Sequence, residues 1–103
     1  MNTIKIDTSD NLVTRVELEI NKKVYTLEEK RGKPGDQNIL NLIEKILKEQ
    51  GVTLKDINKI EVNSGPGSFT GLRVGVSIAN ALSFSCLITI NGKPLGELVQ
   101  PNY

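Results

Sequence analysis

The sequence predicts an α/β domain: a mixed sheet carrying two helices on one face, in the order βββαβαβ with an optional extra C-terminal strand. Three observations predict it. The first thirty residues hold three alternating apolar–polar stretches joined by short polar turns. Residues 39–47 place apolar side chains at helical spacing, and Gly51 closes the run. Asn63–Asn80, reading NSGPGSFTGLRVGVSIAN, sets a glycine-rich turn between a short apolar strand and a helical segment. The rest of the chain is organised around that last stretch.

Taken in order, Thr3–Asp7 alternates with Ile4 and Ile6 on one face. Ser9-Asp10-Asn11 is a turn, and Leu12–Ile20 resumes the alternation through Val16, Leu18 and Ile20. Asn21-Lys22-Lys23 is a second turn, followed by a strand over Val24–Glu29 with Val24 and Leu27 inward. Strands joined this way make an antiparallel meander. Arg31–Gln37 (RGKPGDQ) is a loop by composition. Ile39, Leu42, Ile43, Ile46 and Leu47 define the first helix. Leu40 widens its apolar stripe to roughly 160°, broad for a helix leaning on one sheet. Thr53-Leu54-Lys55-Asp56 predicts a short capped turn into a fourth strand, Lys59–Asn63.

The second helix is expected over Phe69–Phe84, with Ser68 as its N-cap. Thr70, Val74, Val76, Ile78 and two glycines are poor helix formers, so tertiary contacts must hold it. Arg73, Ser77 and Asn80 crowd a narrow polar sector, while an arc of roughly 220° is apolar or small. One sheet face cannot cover that arc, so a second cover is required. Gly71, Gly75 and Ala79 fall four apart and form a smooth strip where another backbone can approach. Cys86–Ile90 reads as a fifth strand, Asn91-Gly92 as a hairpin turn, and Leu95–Val99 as a strand pairing back.

Composition narrows the function. At 103 residues there is room for one core, and 38% hydrophobic with 24% charged residues is ordinary for a globular chain. The net charge of +1, with signs interspersed, gives no nucleic-acid footprint, so strong direct binding of nucleic acid is not expected. The single cysteine, Cys86, excludes an internal disulfide and suits a reducing compartment. No basic-then-apolar leader opens the sequence and no apolar run approaches a membrane span, so the expected location is cytoplasmic, without a membrane partner. Histidine is absent, which removes histidine acid–base catalysis, any Ser-His-Asp triad and nearly every catalytic zinc arrangement. No catalytic residue, metal ligand or cofactor is therefore assigned. Gly65-Pro66-Gly67-Ser68 lacks the lysine and Ser/Thr of a phosphate loop. It reads either as an anion cradle at a helix N-terminus or, as favoured here, as a turn that packs strand against helix.

The string GPGSFTGLRVG resembles the signature of the TsaB (YeaZ) family, partner of the TsaD enzyme in making threonylcarbamoyladenosine on tRNA. Ile6-Asp7-Thr8-Ser9, and Asn38–Gly51 followed by Val52–Ile57, agree with the family, so the resemblance covers most of residues 2–90. It implies an actin-like (ASKHA, RNase H-like) half-domain, with residues 1–103 standing for the family's N-terminal domain and no second domain. TsaD-type enzymes hold their metal with a histidine pair, so this histidine-free chain resembles the partner and not the enzyme. The implied role is a non-catalytic scaffold, pairing through its two helices as a four-helix bundle with a TsaD-like protein or with itself. A TsaE-like ATPase would join through that complex. Leu40, Ile43, Leu47, Leu72, Arg73, Val76 and Ala79 are the expected interface residues, with Arg73 pairing with a carboxylate across it or lying in solvent. An alternative is a nucleotide half-site completed by dimerisation, in which Asp7, Thr8 and Ser9 contact the phosphates of Mg-ATP. Beside it stands the plainer reading of those residues as an Asx/Ser turn. Asp36-Gln37 stands where the family commonly has His-Ser before the first helix.

Overall fold

The computed structural model describes residues 1–10, 12–30 and 38–102. Five strands and two helices follow one another as β1 (Thr3–Asp7), β2 (Val13–Ile20), β3 (Lys23–Lys30), α1 (Ile39–Glu49), β4 (Lys59–Val62), α2 (Phe69–Cys86) and β5 (Thr89–Ile90). A 3-10 turn at Leu54–Asp56 precedes β4. The strands form one sheet in the order β3-β2-β1-β4-β5. The first three pair antiparallel as the expected meander, whereas β4 lies parallel to β1 and β5 parallel to β4. This is the predicted βββαβαβ order and mixed-sheet class, consistent with an actin-like half-domain. The loop Arg31–Gln37, including Asp36-Gln37, lies outside the described residues.

Register divides the sheet into two unlike faces, because side chains alternate along every strand. Ile4 stands opposite Leu18 and Ile60, and Ile6 opposite Val16 and Val62, on the face that both helices cover. There α1 packs over β2 and β3, while α2 packs over β1, β4 and β5. Ile39, Leu42, Ile43, Ile46 and Leu47 of α1 close the core from above. The other face is charged and faces water. Lys5 lies 3.9 Å from Glu19 and 3.8 Å from Glu61, and Arg15 Nε donates to Glu28 at 2.6 Å.

Local chemistry explains the connections. Asn21 and Lys22 both adopt positive φ, the backbone of a two-residue hairpin turn, between β2 and β3. Gly51, at φ +67°, ends α1 where a side chain would be strained, and Val52 N–H bonds back to Leu47 C=O at 3.1 Å. Asp56 accepts from Thr53 N–H at 2.8 Å, closing the predicted capping box.

Four expectations need correction. Val24 points to the charged face and is exposed, while Tyr25 and Leu27 lean on the core, so β3 runs with the opposite parity to Val24. The second helix continues past Phe84 to Cys86, where Leu87 takes a left-handed conformation and its N–H bonds to Ser83 C=O. The fifth strand is consequently only Thr89–Ile90 and not Cys86–Ile90. Finally, Leu95–Val99 is not a strand. The Asn91-Gly92 turn forms, with both residues at positive φ and Lys93 N–H on Ile90 C=O at 2.9 Å, but the chain then leaves the sheet. The Asn91 side chain prolongs the β4–β5 pairing by one step, exchanging hydrogen bonds of 2.8 and 3.1 Å with the Val62 backbone of β4.

The departing chain becomes a strap along α2. Asn80 grips it at Val99, accepting from Val99 N–H and donating to Val99 C=O, both at 2.9 Å. The Val99 side chain is buried in the same core as Val76 and Ala79. Further on, Asn102 N–H bonds to Ser64 C=O at 2.6 Å, so the strap ends on the glycine-rich turn.

Candidate partner-binding face and the motif turn

The two motifs singled out in the sequence meet in one place. Gly71 and Gly75 of α2 sit directly on Thr8 of the β1–β2 turn, and a Cβ on either would overlap Thr8 atoms. The backbone that approaches the strip of small residues therefore belongs to this chain itself. Thr8 is fully buried and its hydroxyl donates to Gly71 C=O at 2.6 Å. Ser68 caps α2 as expected, accepting from Gly71 N–H, and its own N–H bonds to Ser9 C=O at 2.7 Å. Gly67 lies against Ser9, where a Cβ would come within 2.7 Å of the Ser9 side chain. Gly65, joined to Pro66 by a cis bond, is pressed against Asn102 of the strap.

Asp7 completes this assembly. Its Oδ1 accepts from Ser9 N–H at 2.9 Å, Ser9 Oγ at 2.7 Å and Asn63 Nδ2 at 3.3 Å. Burial alone would raise its pKa, but the side-chain and backbone bonds from Ser9 and the bond from Asn63 outweigh it. With the charge of Arg15 assisting, the carboxyl is held below the ordinary range. Asp7 and Asn63 also line an open cleft of about 270 Å³ on the charged face, with Lys5, Arg15, Glu17 and Glu61. The Asp7-Thr8-Ser9 turn is thus an Asx/Ser turn whose Thr8 hydroxyl and Ser9 carbonyl already serve α2. Among the described residues, no three His, Cys, Asp or Glu side chains cluster to hold a metal.

The expected interface residues separate into two groups. Leu72 and Ala79 are 0% exposed, Ile43 2%, Val76 3% and Leu47 7%, so these five belong to the monomer's own interior. Their assignment to a partner is corrected: Ile43 and Leu47 are closed off where α1 packs on β2 and β3, and the second cover demanded by the wide apolar arc of α2 is the strap, whose Val99 shares the core with Val76 and Ala79. Leu40 and Arg73 remain on the surface, Leu40 at 51% exposure. Around them the structure adds residues not singled out from sequence. Phe69, 57% exposed, lines a shallow groove with Thr70, Arg73, Val74, Ser77 and Ile78. Ile78 also lines a recess with Asn38, Ile39, Leu40 and Asn41 at the start of α1, so this mixed apolar and polar surface runs from α2 to α1. Phe69 carried a signal that could have been used: it is the only large aromatic in the motif and opens the helix on its outward side.

With this geometry in view, comparison with known proteins is decisive. Residues 32–92 match the TsaD family, described as tRNA N6-adenosine threonylcarbamoyltransferase. The chain belongs to the TsaB/TsaD family. It is 42% identical over 71 residues to the tRNA threonylcarbamoyladenosine biosynthesis protein TsaB of Buchnera aphidicola subsp. Schizaphis graminum, covering 69% of this chain and 34% of that protein. It is 41% identical over 56 residues to TsaB of Escherichia coli K12, covering 54% and 24%. It is likewise 41% identical over 72 residues to the tRNA N6-adenosine threonylcarbamoyltransferase of Ralstonia pickettii, covering 63% and 19%. The solved structure titled YeaZ from Pseudomonas aeruginosa superposes with a TM-score of 0.80 at 26% identity, covering 87% of this chain and 43% of that one. The chain thus spans about a third or less of the length of these curated relatives. Among the described residues, no helix is long and apolar enough to cross a membrane.

Proposed function

We propose that this chain is a TsaB-like accessory protein of tRNA threonylcarbamoyladenosine biosynthesis, docking on a TsaD-like enzyme in the cytoplasm and doing no bond chemistry itself. The observation that carries the reading is the pair of exposed apolar side chains Leu40 on α1 and Phe69 on α2, beside Arg73 and the half-buried Val74 and Ile78. Helix faces of this kind bury their apolar side chains against another helix pair, and the free energy comes from water removed from that area. The motif then has a structural task. Gly71, Gly75 and Ser68 seat α2 on the β1–β2 turn and so fix the angle at which its outward face is presented. The actin-like half-domain is sufficient for this role, since both helices and the sheet that holds them lie within it.

Light scattering coupled to size exclusion tests the reading. The full chain mixed with the TsaD-like enzyme of its own organism is expected to elute as a complex of the summed mass. Elution of the two as separate species at concentrations of about 10 μM would contradict it.

A further inference from the structure

The sheet ends differently at its two edges. β5 holds two residues and stops at the Asn91-Gly92 turn, too short to pair another strand at length. β3, at the other edge, runs eight residues, each opposite a residue of β2 with no bulge between them. Its sequence, KVYTLEEK, has no proline, and Val24, Tyr25 and Thr26 are good strand formers. Among the described residues, no strand pairs with its outer side. The ladder pattern turns about half of its N–H and C=O groups away from β2, a template on which a further strand adds.

Charge decides which strand fits. Tyr25 and Leu27 lean toward the helix-covered face, and Lys23 and Glu29 share their parity at the two ends. A charge at each end of that row disfavours an arbitrary apolar strand. A second copy of β3 meets it differently. A two-fold axis normal to the sheet runs the two strands antiparallel and keeps the helices of both copies on the same side. Centred on Thr26, it sets Lys23 opposite the second copy's Glu29, Tyr25 opposite Leu27, Val24 opposite Glu28 and Thr26 opposite itself. Symmetry makes the Lys–Glu and Tyr–Leu matches occur twice. An axis on Leu27 sets Glu29 against Tyr25, one on Tyr25 sets Lys23 against Leu27, and one on Glu28 sets that carboxylate against itself. With Thr26 on the axis, Lys22 and Lys30 fall opposite one another at the ends, where both are exposed and water screens them. α1, which packs over β2 and β3, carries exposed Glu44, Lys45, Lys48 and Glu49, two of each sign.

We propose that the outer edge of β3 is a self-association surface. A second copy of this chain adds to it antiparallel about Thr26, joining two five-stranded sheets into one, and the paired Lys23 and Glu29 select that partner and that register. The surface lies at the end of the sheet opposite to α2, whose Phe69 belongs to the face proposed above for docking.

Sedimentation equilibrium of the full chain from about 10 to 500 μM tests this. The wild type is expected to dimerise. Glu29→Lys and Lys23→Glu should each weaken dimerisation about 10-fold, and Lys23→Glu/Glu29→Lys should restore it to within about 3-fold of wild type. Both positions are exposed near the ends of β3, where neither change is expected to unfold the chain. Thr26→Cys, with Cys86→Ser, should form a disulfide-linked dimer under mild oxidation, because directly opposed Cα atoms lie about 4.5–5.5 Å apart. Val24→Cys in the same background should not, since Glu28 stands opposite it. A wild-type monomer throughout that range overturns the proposal, as does a dimer that neither single variant weakens or a charge swap that restores nothing. Equal cross-linking of the two cysteine variants overturns it as well. So does a dimer that Leu40→Asp/Phe69→Asp dissociates and the β3 variants leave intact, which would pair through the helices.

Discussion

The two sides of α2 differ in what covers them, and the difference explains the helix's unusual composition. On one side Gly71, Leu72, Gly75, Val76, Ala79 and Ser83 are buried by the sheet, the β1–β2 turn and the strap. On the other, Phe69, Arg73 and Phe84 stand in water. Both sides are rich in apolar residues, so hydrophobicity alone does not distinguish a core face from a docking face. What differs is the placing of the extremes of size: Gly71 and Gly75 lie against Thr8 on the covered side, whereas the outward side carries Phe69 and Phe84, each more than half exposed.

Substitutions on the covered side should act on folding, and the largest effect belongs to Val76. Val76→Glu places a charge in a fully packed interior and is expected to cost at least about 3 kcal/mol, unfolding most of the protein. Urea denaturation followed by circular dichroism measures this, and near-native stability would show that the strap does not seal the helix. Gly71→Ala comes next. Its new methyl meets the Thr8 backbone, which cannot rotate away as a side chain could, so a loss of about 1–3 kcal/mol is expected in the same assay. Asn80→Ala removes both bonds to Val99 and should cost about 1–2 kcal/mol, with increased amide exchange at Val99.

Asp7 gives a smaller, pH-dependent effect. Its folded pKa is depressed, so the stability it contributes is full above the ordinary carboxylate range and is lost as pH falls through the folded value. The wild type should therefore lose stability below about pH 4. Asp7→Asn should be about 1 kcal/mol less stable than wild type at pH 6, with the gap in urea midpoints narrowing as pH falls below the ordinary carboxylate range. An unchanged gap across that fall in pH would mean that the carboxylate's charge does not hold the turn.

Elements set by local periodicity were legible from sequence. β1 falls on Thr3–Asp7 as expected, and the meander, α1 with its Gly51 stop, and the Thr53–Asp56 turn follow from spacing and capping chemistry. What could not be read was which nonlocal neighbour answers a local need. The wide arc of α2 demanded a second cover, and the sequence offered no way to tell a partner helix from the strap. Likewise Asn91-Gly92 makes the expected turn, but the strand to follow it loses to Asn80, whose side-chain amide competes for the Val99 backbone. For the same reason periodicity alone points Leu72 and Val76 toward an interface and gives no weight to Phe69, the exposed ring at the start of the helix.

The central claim is that the outward side of α1 and α2 binds a partner and does not hold the fold. Leu40→Asp/Phe69→Asp tests it most directly, because both residues lie in the first turns of their helices, where an acidic side chain suits the helix dipole. Calorimetric titration of this variant into the TsaD-like enzyme should show binding at least about 100-fold weaker than wild type, with unfolding stability changed by no more than about 0.5 kcal/mol. Undiminished affinity in a folded variant would contradict the claim.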